Sequence, residues 1–457
     1  TRAVDPISDG KYTILAFDAT THDLQGKLEG SVTGGVFTPD AGQKLLLDPG
    51  TYDFTCFSEP VEYDEPNNRL VVHNGLKSPT IGHVQATIAG DDYEVVFNME
   101  HKAIRVRFKI TSDILSENTP IDAYLEGSVF GPWYWVHDWY TAYSGVLNNA
   151  GNGDFGSGTL NFKTVAPVTT QAGTTYTSDY VYMLQGVSSH DNLSTYAIHF
   201  NAGTIGGASL VGKTVGVSAP SQWTTNQSIT INVNVKGQLY LFEDGKARVL
   251  AGKGTHTPIG VVLQQKWEPT NQKGIAIALK DVSNATVAYT TPYNAAKMNT
   301  QHNTTHYTDA NDAVNDMEGY KWTYEKAGSV DGRIKANFSS DYTPFYQAAN
   351  YNPGVMVTGA NVGKWYVPAL GEWALSWKVL GQWDGNIPSW GMLTMSVAKM
   401  NNIFTAANGE ALKTYQYWNS TEYEGMMIPV LYVGTAFSIS SNATHNITGY
   451  VRPFVHF

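Results

Sequence analysis

The run Ile104-Arg105-Val106-Arg107-Phe108-Lys109-Ile110 alternates apolar and cationic side chains without a break. Successive side chains of an extended chain point to opposite faces, so this period of two predicts a strand with one face in a core and the other in water. The same reading extends outward. Ile229, Ile231, Val233 and Val235 alternate with Thr230, Asn232, Asn234 and Lys236. Residues 12–17 form a β-branched and aromatic run, the composition that suits a pleated strand. After the turn Asp48-Pro49-Gly50, Tyr52, Phe54 and Cys56 are expected on one face, with Thr51, Asp53 and Thr55 on the other. Cys56 then reads as a small core residue. These strands predict a mainly β N-terminal half in two β-rich units, 1–118 and 119–240, the second richer in Gly, Ser and Thr.

From about residue 241 the period changes to that of a helix. Leu370, Trp373, Trp377 and Leu380 follow three-four spacing, which predicts a helix over 368–381. Pro368 suits its first turn, Glu372 lies early, Lys378 late, and Gly381 is a stop signal. Leu393, Val397, Met400 and Phe404 predict a second helix ending near Gly409. Strands return at 428–433 and 450–457, so 241–457 is expected to be an α+β domain.

A length of 457 residues allows two to four domains at roughly 100–200 residues each. Only 15% of the residues are charged, against roughly 25% in soluble domains, and Gly and Tyr are abundant. That composition reads as an extracellular β-rich protein. The net charge of −11 argues against a nucleic-acid partner, which would need a basic footprint. No apolar run reaches the roughly 18 residues of a membrane-spanning helix. A single cysteine excludes an intramolecular disulfide and a thiolate metal cluster. The chain opens at Thr1-Arg2-Ala3 without Met, as a mature or trimmed form would.

Residues 12–18, the Pro49-Gly50-x-Tyr52 strand within 47–54, and residues 97–110 resemble, in that order, conserved strands of the fimbrillin superfamily of Bacteroidetes, the subunits of major and minor fimbriae. The resemblance runs to near residue 240. Beyond it, residues 239–245, 258–262 and 275–280 precede a series with Trp365-Tyr366-x-Pro368, Tyr417-Trp418-x-Ser420-Thr421-Glu422 and Val451-Arg452. That series is similar to domains with a C-type-lectin-like fold. The resemblance implies two fimbrillin-type β-sandwich units carrying an α+β lectin-like head. It further implies export as a lipoprotein precursor, attachment at the outer membrane or within a fimbria, and trimming after an Arg, which Arg2 before Ala3 matches. Partners would be other fimbrial subunits, joined by strand exchange, and a glycan or protein receptor. In strand exchange, backbone hydrogen bonds give affinity and pockets for alternate side chains give specificity. The final strand is not followed by a tail after Phe457, which favours a tip or accessory subunit.

Two groups of residues are candidates for ligand binding. Trp133 and Trp135 share a face in an aromatic cluster over 133–143, suited to stacking on sugar rings or anchoring a partner, and equally to filling a core. Trp383, Asp384 and Asn386 fall in a loop, where binding residues concentrate. Trp373 and Trp377 lie on the apolar helix stripe and Trp418 in a core motif, so these read as interior. Calcium-dependent lectins use a Glu-Pro-Asn loop; here Glu65-Pro66-Asn67 falls in the wrong domain and Trp418-Asn419-Ser420 lacks the companion Asp. His302 and His306 are four apart without an intervening Glu, in a stretch that reads as loop. Asp309, Asp312 and Asp316 read as a solvated face or loop. No metal or cofactor is therefore expected. No nucleophile elbow, phosphate loop or selected carboxylate pair appears, so no catalytic residue is assigned. The expected function is adhesion as a fimbrial tip subunit, without enzymatic activity. The alternative is a secreted carbohydrate-active enzyme or glycan-capture protein with a lectin-like accessory module. Two carboxylates in a deep aromatic-lined cleft would favour the alternative, and a shallow surface without them would favour adhesion.

Overall fold

The computed structural model describes residues 7–73, 77–90, 93–115, 118–127, 137–150, 158–183, 196–216, 225–291, 301–383, 385, 392–393, 395–423, 430–433, 437–440 and 447–457. The chain divides into two compact units. The first comprises Thr1–Asp113, Thr119–Thr204 and Ser209–Val235; the second comprises Ile114–Asn118, Ile205–Ala208 and Lys236–Phe457.

In the first unit a six-stranded antiparallel sheet runs in the order Val36–Pro39, Leu24–Thr33, Gly10–Asp18, Gly50–Ser58, Thr80–Ile88, Met99–His101. Leu15, Phe17, Phe57 and Ile81 from this sheet share a core with Val61, Leu70, Val72 and Tyr140 from a second sheet. The second sheet is ordered Leu147–Ala150, His137–Thr141, Arg69–His73, Val61–Asp64. Two sheets burying a common apolar layer make a β-sandwich. The alternation expected at 51–56 is present, but Asp53 and Thr55 are buried too, at 6% and 0% exposure. The strand is central, and both its faces are covered. Thr55 lies between the sheets and its Oγ1 donates to the Ala142 carbonyl at 2.7 Å. On the opposite face Tyr52 and Phe54 lie under Leu45, Leu47, Val95 and Phe97, which belong to stretches without strand pairing.

Ile104–Ser112 follows its sequence pattern: Ile104, Val106, Phe108 and Ile110 are buried, and Arg105, Arg107 and Lys109 face out. It pairs antiparallel with Gly173–Thr177 and Val181–Met183, and parallel with Ser228–Val235. Segments 1–118 and 119–240 thus share this sheet. A further four-stranded sheet is ordered Gly158–Leu160, Asp122–Gly127, Tyr196–Ala202, Thr214–Gly216.

The second unit is built on a five-stranded antiparallel sheet ordered Ala247–Val249, Leu239–Phe242, Pro258–Gln264, Ile275–Ala278, Phe454–His456. Helices Leu370–Gly381 and Val397–Ala406 pack into the core of this unit: Trp373, Trp377, Met400 and Phe404 join Tyr240, Phe242, Val261, Ile277 and Phe454. The first helix starts two residues later than the sequence suggests. Pro368 precedes the cap, and the Glu372 carboxylate accepts from the Ala369 N–H at 2.7 Å. It ends at Gly381, with Gln382 in the left-handed region at φ 58°. The second helix begins later than expected because Ser396 caps it, accepting from the Lys399 N–H at 3.2 Å. Leu393, placed on that helix by its spacing, instead belongs to the strand Met392–Leu393. That strand pairs with Phe437–Ser440, followed by Val430–Val433 and Gln416–Tyr417. No described helix is long and apolar enough to cross a membrane.

Candidate functional site

The motif residues of the second unit form a buried polar framework. Arg452 is fully buried; its Nε donates to Asp281 Oδ1 at 2.6 Å, and one of its terminal nitrogens reaches the carbonyls of Leu279 (2.9 Å) and Glu410 (3.2 Å). Tyr417 donates to the other Asp281 oxygen at 3.0 Å. Burial raises the Asp281 carboxyl, against the pull of the adjacent guanidinium. Asp316 accepts from Trp322 Nε1 at 3.0 Å and Thr421 Oγ1 at 2.7 Å, while Thr421 accepts from the Leu370 N–H at 2.8 Å. The Glu422 carboxylate accepts from the Asn303 N–H at 2.8 Å, and the Asn303 side chain donates to the Ser420 carbonyl at 2.7 Å and accepts from Lys335. Burial lowers Lys335 to about 8, with Glu422 and Asp331 opposing. Tyr366 donates to Glu372 at 2.6 Å, and burial lifts Glu372 to about 8.

Buried polar groups persist when they are paired, and removal of one partner is costly. The Trp-Tyr-x-Pro, Tyr-Trp-x-Ser-Thr-Glu and Val-Arg residues are therefore interior fasteners tying the helix to the strands. Their partners Asp281, Asn303 and Lys335 lie far away in sequence and carry no local signal.

Among the described residues of this unit an open cleft of about 350 Å³ lies beside the Asp244-Gly245 turn. Its lining includes Lys246, Gln265, Lys266, Asn361 and Phe457. The turn requires glycine: Gly245 has φ 82°, and a Cβ there would stand 1.9 Å from Asn361 Oδ1. Asn361 in return donates to the Gly245 carbonyl at 2.8 Å. Gln265 accepts from the Leu115 N–H at 2.8 Å, fixing the opposite wall. Phe457 is laddered to Gly274 through both backbone groups, and its ring lies where a Gly274 side chain would be. Asp244 is held by Arg248 through two contacts of 3.0 and 2.7 Å, and Lys266 pairs with Glu268 at 2.6 Å. Among the described residues the lining offers cations, amides and an aromatic wall, and no carboxylate.

Of the residues singled out from sequence, Trp383 is half-buried with its ring edge-on to Trp377 at 5.8 Å. Asp384, Asn386, Trp133, Trp135, Arg2 and Ala3 lie outside the described residues. Trp373, Trp377 and Trp418 are interior. The His302 and His306 rings stand 6.4 Å apart in a segment that is not helical. Asp316 departs from the solvated reading: it is 2% exposed because Trp322 and Thr421 need its oxygens. Cys56 is 5% exposed, and burial pushes its thiol up to about 12. Among the described residues no three His, Cys, Asp or Glu side chains are placed to hold a metal ion.

No protein-family model and no curated protein matches the chain. Solved structures similar to it include candidate cell adhesion proteins of Bacteroides fragilis and Bacteroides uniformis and a candidate adhesin of Bacteroides ovatus. The first is 11% identical with a TM-score of 0.36, covering 50% of this chain and 81% of that one. The second is 13% identical with a TM-score of 0.34, covering 53% and 90%. The third is 11% identical with a TM-score of 0.27, covering 50% and 80%. These are distant likenesses, each over about half of the chain.

Proposed function

We propose that this chain is a cell-surface adhesin, a fimbrillin-type subunit whose second unit serves as a lectin-like head. The observation that carries the reading is the lining of the cleft beside Gly245. Lys246, Lys266 and the amides of Gln265 and Asn361 are donor-rich, and Phe457 supplies an apolar wall. A sugar or peptide offering carbonyl, hydroxyl or carboxylate oxygens beside an apolar face fits that chemistry. The cleft is assigned to recognition without catalysis. In this reading the first unit joins other fimbrial subunits by strand exchange, an edge of its six-stranded sheet accepting the incoming strand. The protein is exported and held at the outer surface through its precursor lipid or the fimbria, at a tip or accessory position.

The test is a glycan-array screen of the full chain, with calcium and with chelator. Saturable binding in both buffers is the expected result. No binding to any glycan would remove the lectin-like reading, and binding abolished by chelator would place recognition at a metal site elsewhere.

A further inference from the structure

The outward face of the first unit's central strand has no role in the sandwich core and none in the proposed head. Arg105, Arg107 and Lys109 stand in one row on Ile104–Ser112, about 7 Å apart along the strand. In the register of the sheet, Ser228, Thr230 and Asn232 stand beside them on one flank, and Tyr182 and Thr177 stand beside Arg105 and Lys109 on the other. No carboxylate occupies these adjacent positions. Tyr180 lies under the row: the Arg105 guanidinium carbon is 4.7 Å from its ring centre and that of Arg107 is 5.1 Å. Arg107 Nε donates to Thr230 Oγ1 at 3.1 Å.

Other cations of this unit meet acids: Lys11 with Asp40, Lys27 with Glu29, Arg69 with Asp64, Lys77 with Glu59 and Lys102 with Glu100. The nearby Asp179 is turned to Asn161 and Thr164, at 2.8 and 2.7 Å. Among the described residues neither Arg107 nor Lys109 has a carboxylate partner. At the Arg105 end the row opens into a small cleft with Tyr182, His101 and Asn226 in its wall.

We propose that this face binds an acidic glycan, a sugar chain bearing carboxylate or sulfate groups. The Arg107 guanidinium, 5.1 Å from the Tyr180 ring centre and tied to Thr230, and the neighbouring Lys109 are placed to meet oxyanions, and the flanking hydroxyls and amides suit the sugar hydroxyls between successive acids. The spacing favours a sparse polyanion. One cation per roughly 7 Å matches a chain with acids at intervals, whereas duplex DNA carries a charge every ~1.7 Å of axis. A net charge of −11 also repels a dense polyanion at long range. This site is separate from the Gly245 cleft and stands without it.

The test measures binding of the full chain to immobilised polygalacturonate, dextran sulfate, neutral dextran and duplex DNA over a salt series. One or both acidic polysaccharides should bind, weakening with salt; uronate alone would assign the carboxylate form and dextran sulfate alone the sulfate form. Replacing Arg107→Gln and Lys109→Gln together should weaken binding roughly two- to thirtyfold, two solvent-accessible ionic contacts being lost. Lys27→Gln with Lys77→Gln, exposed cations of the same unit that are paired with Glu29 and Glu59, should leave it unchanged. Lys109→Gln alone, at an exposed position, should give a partial loss and guards against misfolding of the double variant, whose melting curve is recorded alongside. No binding to either acidic chain, binding indifferent to the double variant, or tighter binding to DNA than to both would overturn the proposal.

Discussion

Glu372 is fully buried, bonded to Tyr366 and the Ala369 N–H, with His456 Nε2 4.0 Å from its carboxylate. Burial lifts Glu372 to about 8, and burial with the nearby Lys273 charge lowers His456 to about 4. A raised acid favours folding below its unfolded value near 4.5, and that contribution is lost as pH rises through about 8. A depressed histidine acts oppositely, its contribution being lost as pH falls from 6.5 through about 4. Between about pH 6.5 and 7 the Glu372 contribution therefore governs, and the melting temperature of the second unit should fall as pH rises; closer to 8 the buried Lys335 loses its proton on folding and opposes the trend. Glu372→Gln should flatten that slope, as read by thermal unfolding across the window. Arg452→Ala should cost about 3–5 kcal/mol in denaturant unfolding, because Asp281 and the Leu279 and Glu410 carbonyls would be left in the core without their guanidinium partner. At this scale the sequence shows little. Glu372 can be placed early in a helix from spacing alone, but its partners depend on a fold that brings Tyr366 and His456 to it. Asp316 looked solvated because its neighbours are polar; the groups that bury it, Trp322 and Thr421, arrive from other elements.

Elements with a single buried face were legible. Ile104–Ser112 buries one face, so period and burial coincide, whereas helix Leu370–Gly381 is covered on nearly all sides, only Lys378 and Val379 being exposed, and its apolar spacing marks just part of what is buried. Gly50–Ser58 escaped that logic because both faces are covered and polar side chains are satisfied inside. Thr55→Val should therefore destabilise the sandwich by about 1 kcal/mol or more in chemical unfolding, since the Ala142 carbonyl loses its donor. The helix start was displaced because Ala369 is a poor capping residue, and the cap is supplied by Glu372 from inside the first turn. Gly319 shows a close approach invisible to pattern: a Cβ there would meet Glu372 Oε2 at 2.3 Å and the Ala369 nitrogen at 2.7 Å. Gly319→Ala should cost roughly 1–3 kcal/mol by overpacking, read from the same unfolding curves.

The whole chain gathers its second unit from three places. Asn118 Oδ1 accepts from the Gly206 N–H at 3.0 Å, the Val249 N–H donates to the Gly206 carbonyl at 3.0 Å, and Leu115 is tied to Gln265. Short inserts of this kind leave no periodic trace, so the boundary read near residue 241 does not include them. A fragment starting there should melt below the second unit of the full chain in calorimetry, having lost the Gly206 edge and the Leu115 wall of the cleft. The candidate site follows the same rule. Trp383 was visible as a loop aromatic, whereas the Gly245 cleft joins residues from five separate stretches of the chain.

The central claim is that this cleft receives the ligand of a surface adhesin. The most direct measurement is equilibrium binding of a glycan retained on the array to the full chain and to its Lys246→Ala/Lys266→Ala variant, with equal melting temperatures verified. Saturable binding by the parent chain and a loss of roughly two- to thirtyfold in the variant are expected, the effect of removing two cationic contacts. Equal affinity for the two proteins would contradict that claim.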